Sequence, residues 1–310
     1  MKKIMTITNT TKNRDPYILK HNGKYYYCFS TGGSIALVCA NSIDEIEKTE
    51  PKIVFVPDKE EYSKELWAPE LHIIDGKCYI YVACDNGNNY NHRMYVLENN
   101  SNDPMECYKM HGKITDSTDK WAIDGNLIKY NDELYYFWSG WEGNRNVRQN
   151  IYIAKMKNPF ELSSQRVMIS TPTYDWEKIG CTPEDTEGKP YINEGPFAFI
   201  YNNELYLAYS ASGCWSTGYC IAFLRLIGDN PLDANSWFKF EKPTLTSNEL
   251  VLGPGHCSII DEDNKKILTE VPEIEGNIPT LGEQQEKHTE IKMMDIFRML
   301  IIIIQLILDK

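Results

Sequence analysis

The sequence predicts an all-β fold, a five-bladed β-propeller, and three observations point there. A small rigid step introduces a hairpin-like run five times, at Asp15-Pro16-Tyr17, Ala68-Pro69-Glu70, Asp124-Gly125-Asn126, Glu194-Gly195-Pro196 and Gly255-His256-Cys257. The leading residues lie between 53 and 70 positions apart, the scale of one small sheet per repeat. Each run then reaches a turn pair: Asn22-Gly23, Asp75-Gly76, Asn131-Asp132, Asn202-Asn203 or Asp263-Asn264. These pairs tolerate the left-handed backbone that two-residue hairpins require.

The elements follow in order. After each of the first four turns comes an aromatic-rich second strand: Lys24–Tyr27, Lys77–Tyr81, Leu134–Trp138 and Leu205–Tyr209. A third β-like run lies one hairpin further on, at Ile35–Cys39, Arg93–Leu97, Asn150–Ala154 and Tyr219–Leu224. Ser42–Glu45 and Asp233–Trp237 read as short capped turns, and no segment before residue 285 carries a long helical period. No interdomain linker stands out, so residues 1–265 are expected to form one propeller domain and 266–310 an atypical tail that could belong to the fifth blade. The aromatic pattern stops there, and the apolar run Met299–Leu308 lacks alternation. It is too short to span a bilayer as a helix and reads as a buried strand or short core helix before an interfacial anchor, with a non-native end as a third option outside that ranking. The fifth blade is therefore open to being incomplete or atypical.

Composition narrows the function. A net charge of −12 argues against nucleic acid or an anionic membrane, because no basic field exists to release counterions. Neutral substrates remain open, and 20 Tyr with 7 Trp suit both strands and sugar-stacking surfaces. The nine cysteines are scattered without a Cys-x-x-Cys, which favours reduced structural thiols over a disulfide or metal framework. Lys2 and Lys3 precede a polar stretch, Thr6 to Asn13, with no apolar core. No secretory signal is visible, so the location is expected to be cytoplasmic or else left unassigned.

Taken singly, Asp15, Asp124 and Glu194 are ordinary turn acids. Together they occupy one place in the repeat, which surface acids scattered at random would not do. Equivalent strands around an axis would bring all three to one end of it. Two carboxylates with a third nearby suit glycoside hydrolysis: a base activates water, an acid protonates the leaving oxygen, and a neighbouring negative charge raises that acid's pKa.

From about Asn13 to Ser258 the chain resembles glycoside hydrolase family 43. The resemblance rests on Arg14-Asp15-Pro16-Tyr17, Glu65-Leu66-Trp67-Ala68-Pro69-Glu70, Trp121-Ala122-Ile123-Asp124-Gly125, Asn193-Glu194-Gly195-Pro196 and Gly253-Pro254-Gly255-His256. It implies a five-bladed propeller that cleaves α-L-arabinofuranosides or β-D-xylosides with inversion. Asp15 would then be the general base, Asp124 the pKa modulator that orients the acid, and Glu194 the general acid. His256 would point into the central channel, either beside a structural calcium or other ion held largely through water or as a buried, hydrogen-bonded core histidine, with no cofactor needed for the chemistry. Trp67, Trp138 and Trp141 are candidates for the sugar platform, and Gln149 for a substrate contact. The tail departs from the family: Arg298 is the only arginine after Arg225, and its context does not match the family's late active-site arginine. The expected substrates are arabinan or arabinoxylan oligosaccharides, neutral fragments of plant cell walls, cleaved at terminal α-L-arabinofuranose. A β-xylosidase and an inactive carbohydrate-binding propeller are the alternatives.

Overall fold

Four of the five turn pairs hold left-handed backbone at both residues: φ is 50° and 73° at Asn22-Gly23, 50° and 77° at Asp75-Gly76, 49° and 63° at Asn131-Asp132, and 49° and 64° at Asn202-Asn203. This is the geometry whose twist matches flanking antiparallel strands, so each pair starts a hairpin. Asp263-Asn264 lies outside the described residues. The computed structural model describes residues 3–7, 15–99, 101–184, 186–248, 252–262, 265–272 and 297–303.

Strand β1 (Lys3–Ile7) precedes β2 (Tyr17–His21), β3 (Lys24–Ser30), β4 (Ile35–Ala40) and β5 (Lys52–Phe55). The last four pair in that order as one antiparallel sheet. A second sheet repeats the pattern with β6 (Lys64–Ile74), β7 (Lys77–Asp85), β8 (Arg93–Glu98) and β9 (Lys109–Ile114). The third group holds β10 (Ala122–Tyr130), β11 (Glu133–Gly140) and β12 (Arg148–Asn158), edged by β13 (Glu161–Leu162) and β14 (Val167–Ser170). The fourth holds β15 (Tyr191–Tyr201), β16 (Glu204–Ala211), β17 (Cys220–Leu226) and β18 (Trp237–Lys239). A short parallel contact, Arg148↔Tyr191 and Gln149↔Ile192, joins these two groups.

The fifth group closes in a way the local pattern does not show. Strand β19 (Pro254–Glu262) pairs with β20 (Lys265–Pro272), β20 with β21 (Phe297–Ile303), and β21 with β1 from the opposite end of the chain. The beginning of the apolar run thus forms a strand, while residues 304–308 lie outside the described residues. The side chain of Arg298, within β21, is likewise outside them. Helix is confined among the described residues to Ile43–Ile46 and a few single turns, one of them capped by Asp233 as its sequence predicts. No helix among those residues is long and apolar enough to cross a membrane.

Successive sheets pack face to face, and the aromatic second strands supply much of the filling. Tyr79, Tyr81, Tyr136 and Trp138 meet between the second and third groups. Phe137, Leu207, Tyr209 and Leu224 meet between the third and fourth. Burial of this kind stabilises by roughly 25 cal/mol per Å² of apolar surface, so these faces fix the order of sheets around the axis. Cys28, Cys39, Cys78, Cys84 and Cys220 in these strands are free thiols.

Candidate active site

Four of the five inner strands carry a bulge near their start, and left-handed backbone at the same place in all five groups does the positioning. The backbone is left-handed at Asp15 (57°), Ala68 (43°), Asp124 (57°), Gly195 (54°) and His256 (43°). Pairing slips across Trp67/Glu70, Ile123/Asn126, Glu194/Phe197 and Gly255/Ser258. A bulge breaks the in–out alternation and re-aims a side chain. A non-glycine residue in this conformation costs on the order of 1–3 kcal/mol, so the surroundings must impose it. Close packing surrounds the residues beside it: at Gly125 and Gly255, next to Asp124 and His256, an added Cβ would fall 1.8 Å from the Tyr136 hydroxyl and 1.7 Å from the Tyr219 ring.

The register of the bulges corrects one expectation. Asp15, Asp124 and His256 themselves hold the left-handed position, but in the fourth group Gly195 holds it and Glu194 stands one residue earlier. The three carboxylates are therefore not at one place in the repeat. They nevertheless converge: Asp15, Asp124, Glu194 and His256 line one cavity of about 250 Å³.

Its electrostatics are set by one imidazole among the acids. His256 Nδ1 lies 3.0 Å from Asp15 Oδ1. Burial alone would push the ring toward neutrality, yet the carboxylates of Asp15, Asp124 and Glu194 hold its pKa well above the usual value, so it carries a proton. Asp124 is 4% exposed, and burial lifts its pKa to about 6; His256 pulls it down, while Asp15 pushes it up. The Gly195 N–H donates to Asp124 Oδ2 at 2.9 Å, so Asp124 grips the peptide just after Glu194. Tyr219, itself buried, donates to Glu194 Oε1 at 2.9 Å.

Behind Glu194 lies a buried polar network. Asn193 Nδ2 donates to Glu177 Oε1 at 2.9 Å, and Asn193 Oδ1 accepts from Ser170 Oγ at 2.7 Å. Glu177 is 0% exposed and pairs with Lys239 Nζ at 2.6 Å. The Thr173 and Tyr174 N–H groups donate to its other oxygen at 2.7 and 2.9 Å, so the carboxylate is well satisfied despite its burial.

The predicted sugar contacts divide. Trp67 and Gln149 line the cavity, as do Trp121 and Trp215, which were not singled out as contacts. Trp121 stands three residues ahead of Asp124 in Trp121-Ala122-Ile123-Asp124-Gly125, and that nearness is the signal in the sequence that points to it. Trp138 and Trp141 do not line the cavity; packing takes both rings instead. Trp138 stacks between Tyr136 and Tyr152 at 5.7 and 5.8 Å, and Trp141 lies 4.7 Å behind Trp121 with the rings 9° from parallel.

The calcium considered near His256 finds no direct ligand set: His256 Nδ1 lies 3.0 Å from Asp15 Oδ1 and is committed to it. Among the described residues no cluster of three or more His, Cys, Asp or Glu side chains is arranged to hold an ion. What the site can do chemically is move protons between carboxylates of unlike environment beside indole faces that suit a sugar ring.

Comparison with known proteins agrees with this chemistry. Residues 7–295 match the model of "Glycosyl hydrolases family 43". The chain is 29% identical over 261 residues to a protein of Streptomyces chartreusis named extracellular exo-α-(1→5)-L-arabinofuranosidase, covering 81% of this chain and 76% of that one. It is 31% identical to α-L-arabinofuranosidase 43 of Humicola insolens, covering 78% of this chain and 50% of that longer protein. The crystal structure of an α-L-arabinofuranosidase from Lactobacillus brevis superimposes with a TM-score of 0.78 at 30% identity, over 93% of this chain and 90% of that one. The cytoplasmic location expected from the lack of a visible leader does not stand, because the Streptomyces relative is named extracellular.

Proposed function

The chain belongs to glycosyl hydrolase family 43 and is a glycosyl hydrolase with a propeller fold; from that premise we propose that it removes terminal α-L-arabinofuranosyl residues from arabinan or arabinoxylan oligosaccharides with inversion. The observation that carries this reading is the convergence of Asp15, Asp124 and Glu194 on one small cavity beside an imidazolium. In the reaction Asp15 accepts a proton from water as that water attacks the anomeric carbon. Glu194 gives its proton to the departing glycosidic oxygen, and inversion needs the two carboxyl groups roughly 6.5–9.5 Å apart. The His256 cation stabilises Asp15 as the anion that a base must be. Asp124, tied to the Gly195 peptide, orients Glu194 and adds negative charge that favours its protonated form.

Relatives named exo-α-(1→5)-L-arabinofuranosidase support removal of one terminal sugar over cleavage within a chain, and the cavity of about 250 Å³ has room for such a sugar. Names of relatives support arabinose, since proteins of Streptomyces and Humicola similar to this chain carry arabinofuranosidase names. The test is hydrolysis of aryl α-L-arabinofuranoside and aryl β-D-xyloside, and of arabino-oligosaccharides, by wild type and Glu194→Ala. Faster turnover of the arabinoside, with single arabinose units released and activity lost in the variant, is expected. Preference for the xyloside would reassign the sugar, and sugar binding without turnover in wild type would overturn the enzyme.

A further inference from the structure

Behind the indole wall of the cavity lies a buried His–Asp pair that none of these steps uses. His92 and Asp85 are both 0% exposed, and His92 Nδ1 stands 2.8 Å from Asp85 Oδ2. Asp85 ends β7, and its other oxygen accepts the Gly87 N–H at 2.7 Å. On the far side of the ring, His92 Nε2 donates to the Glu65 carbonyl at 3.1 Å. Two anchors on opposite edges fix the plane of the imidazole, whichever member of the pair holds the proton between them.

That plane faces two cavity-lining rings. Trp67 stacks on His92 with centroids 4.1 Å apart and planes 28° from parallel, and Trp121 lies 6.1 Å away at 48°. Both indoles line the cavity. Their N–H groups are also tied: Trp67 Nε1 donates to Glu65 Oε2 at 3.0 Å, and Trp121 Nε1 to the Asn89 carbonyl at 2.8 Å. Glu65 itself is left-handed, at φ 47°, so the carbonyl that anchors His92 sits on constrained backbone beside Trp67. The Ala122 N–H donates to the His92 carbonyl at 3.3 Å, linking the same residue to the strand that carries Trp121.

We infer that His92, pinned by Asp85, is a positioning residue that sets the spacing and tilt of Trp67 and Trp121 for the bound sugar, and so governs substrate binding and not the chemical step. The inference rests on the glycosidase reading and names the device that shapes its sugar platform. Losing a ring contact of this kind corresponds to about a two- to twelvefold change in binding.

The experiment is a double-mutant cycle on an aryl α-L-arabinofuranoside, with wild type, His92→Gln, Trp67→Ala and the double variant. His92→Gln should raise KM about two- to twelvefold and leave kcat within about twofold. The double variant should raise KM by less than the product of the two single effects, because His92 acts in part through that ring. His92→Phe should recover part of the loss, since it restores a stacking face without the anchors. Should His92→Gln fold poorly, Asp85→Asn keeps the shape, and its KM rise gives the same readout. An unchanged KM, a fall confined to kcat, or full additivity with Trp67→Ala would overturn the role of His92 while the glycosidase reading stood. Absence of turnover in wild type would overturn both.

Discussion

On the side of the proposed base, Asp15 stands at the head of β2 with a fifth of its side chain exposed and a buried imidazolium 3.0 Å away. On the side of the proposed acid, Glu194 lies within β15, held by Tyr219 and by the Gly195 peptide that Asp124 grips. Behind it run Asn193, Ser170, Glu177 and Lys239. The base is placed largely by charge, and the acid by a packed hydrogen-bond network. The difference follows from their tasks. A base has to stay ionised, which a neighbouring cation ensures, whereas an acid has to aim a proton, which demands fixed geometry.

The largest expected effect breaks both sides at once. Asp15→Ala and Glu194→Ala should each lower kcat on an unactivated arabino-oligosaccharide by about a hundredfold or more, with far-UV circular dichroism unchanged. Glu194→Ala alone should be less damaging on a nitrophenyl arabinoside, whose leaving group needs little protonation. Equal losses on both substrates would remove the assignment of Glu194 as acid.

Next comes the network behind the acid. Lys239→Met leaves Glu177 as an unpaired carboxylate at 0% exposure, a change that costs about 3–5 kcal/mol when a buried pair is broken. Urea unfolding should show that loss together with a fall in kcat, because Asn193 is part of the same network and precedes Glu194. For contrast, Lys157→Ala, at an exposed pair with Glu161, should change stability by no more than about 0.5 kcal/mol.

Asp124 sharpens the comparison through pH. Its carboxyl rises from the ordinary 3.8 to about 6, so the protonated form is favoured by folding. That stability is fully present below the ordinary value and is lost as pH climbs through about 6. The move amounts to about 3 kcal/mol. Asp124→Asn should therefore melt higher than wild type at pH 7 and nearly level with it at pH 4. A constant difference across that range would contradict the burial argument. The smallest effect is expected from His256→Gln. Losing the cation beside Asp15 should move the acid limb of the kcat/KM profile to higher pH, which an activity titration would read.

Much of this was legible in the sequence for a physical reason: hairpins are local. Asn22-Gly23 and Asp75-Gly76 announce left-handed turns by composition alone, and the aromatic strands after them follow at once. Which residue occupies each bulge is less local, because it depends on which neighbour tolerates the left-handed conformation. In the fourth group a glycine takes it, and Glu194 shifts by one. The tryptophans illustrate the same limit, since Trp138 and Trp121 look alike in sequence. Strand alternation sends Trp138 between sheets, whereas the loop before β10 sends Trp121 to the cavity. The pairing of β21 with β1 joins segments from opposite ends of the chain, and no local pattern encodes it.

The account turns on single displacement at the anomeric carbon by a water that Asp15 activates. Proton NMR of arabinose in the first moments after release from an α-L-arabinofuranoside tests that directly. The β-anomer should appear first and then mutarotate. Initial release of the α-anomer would show double displacement and contradict the assignment of Asp15 as base.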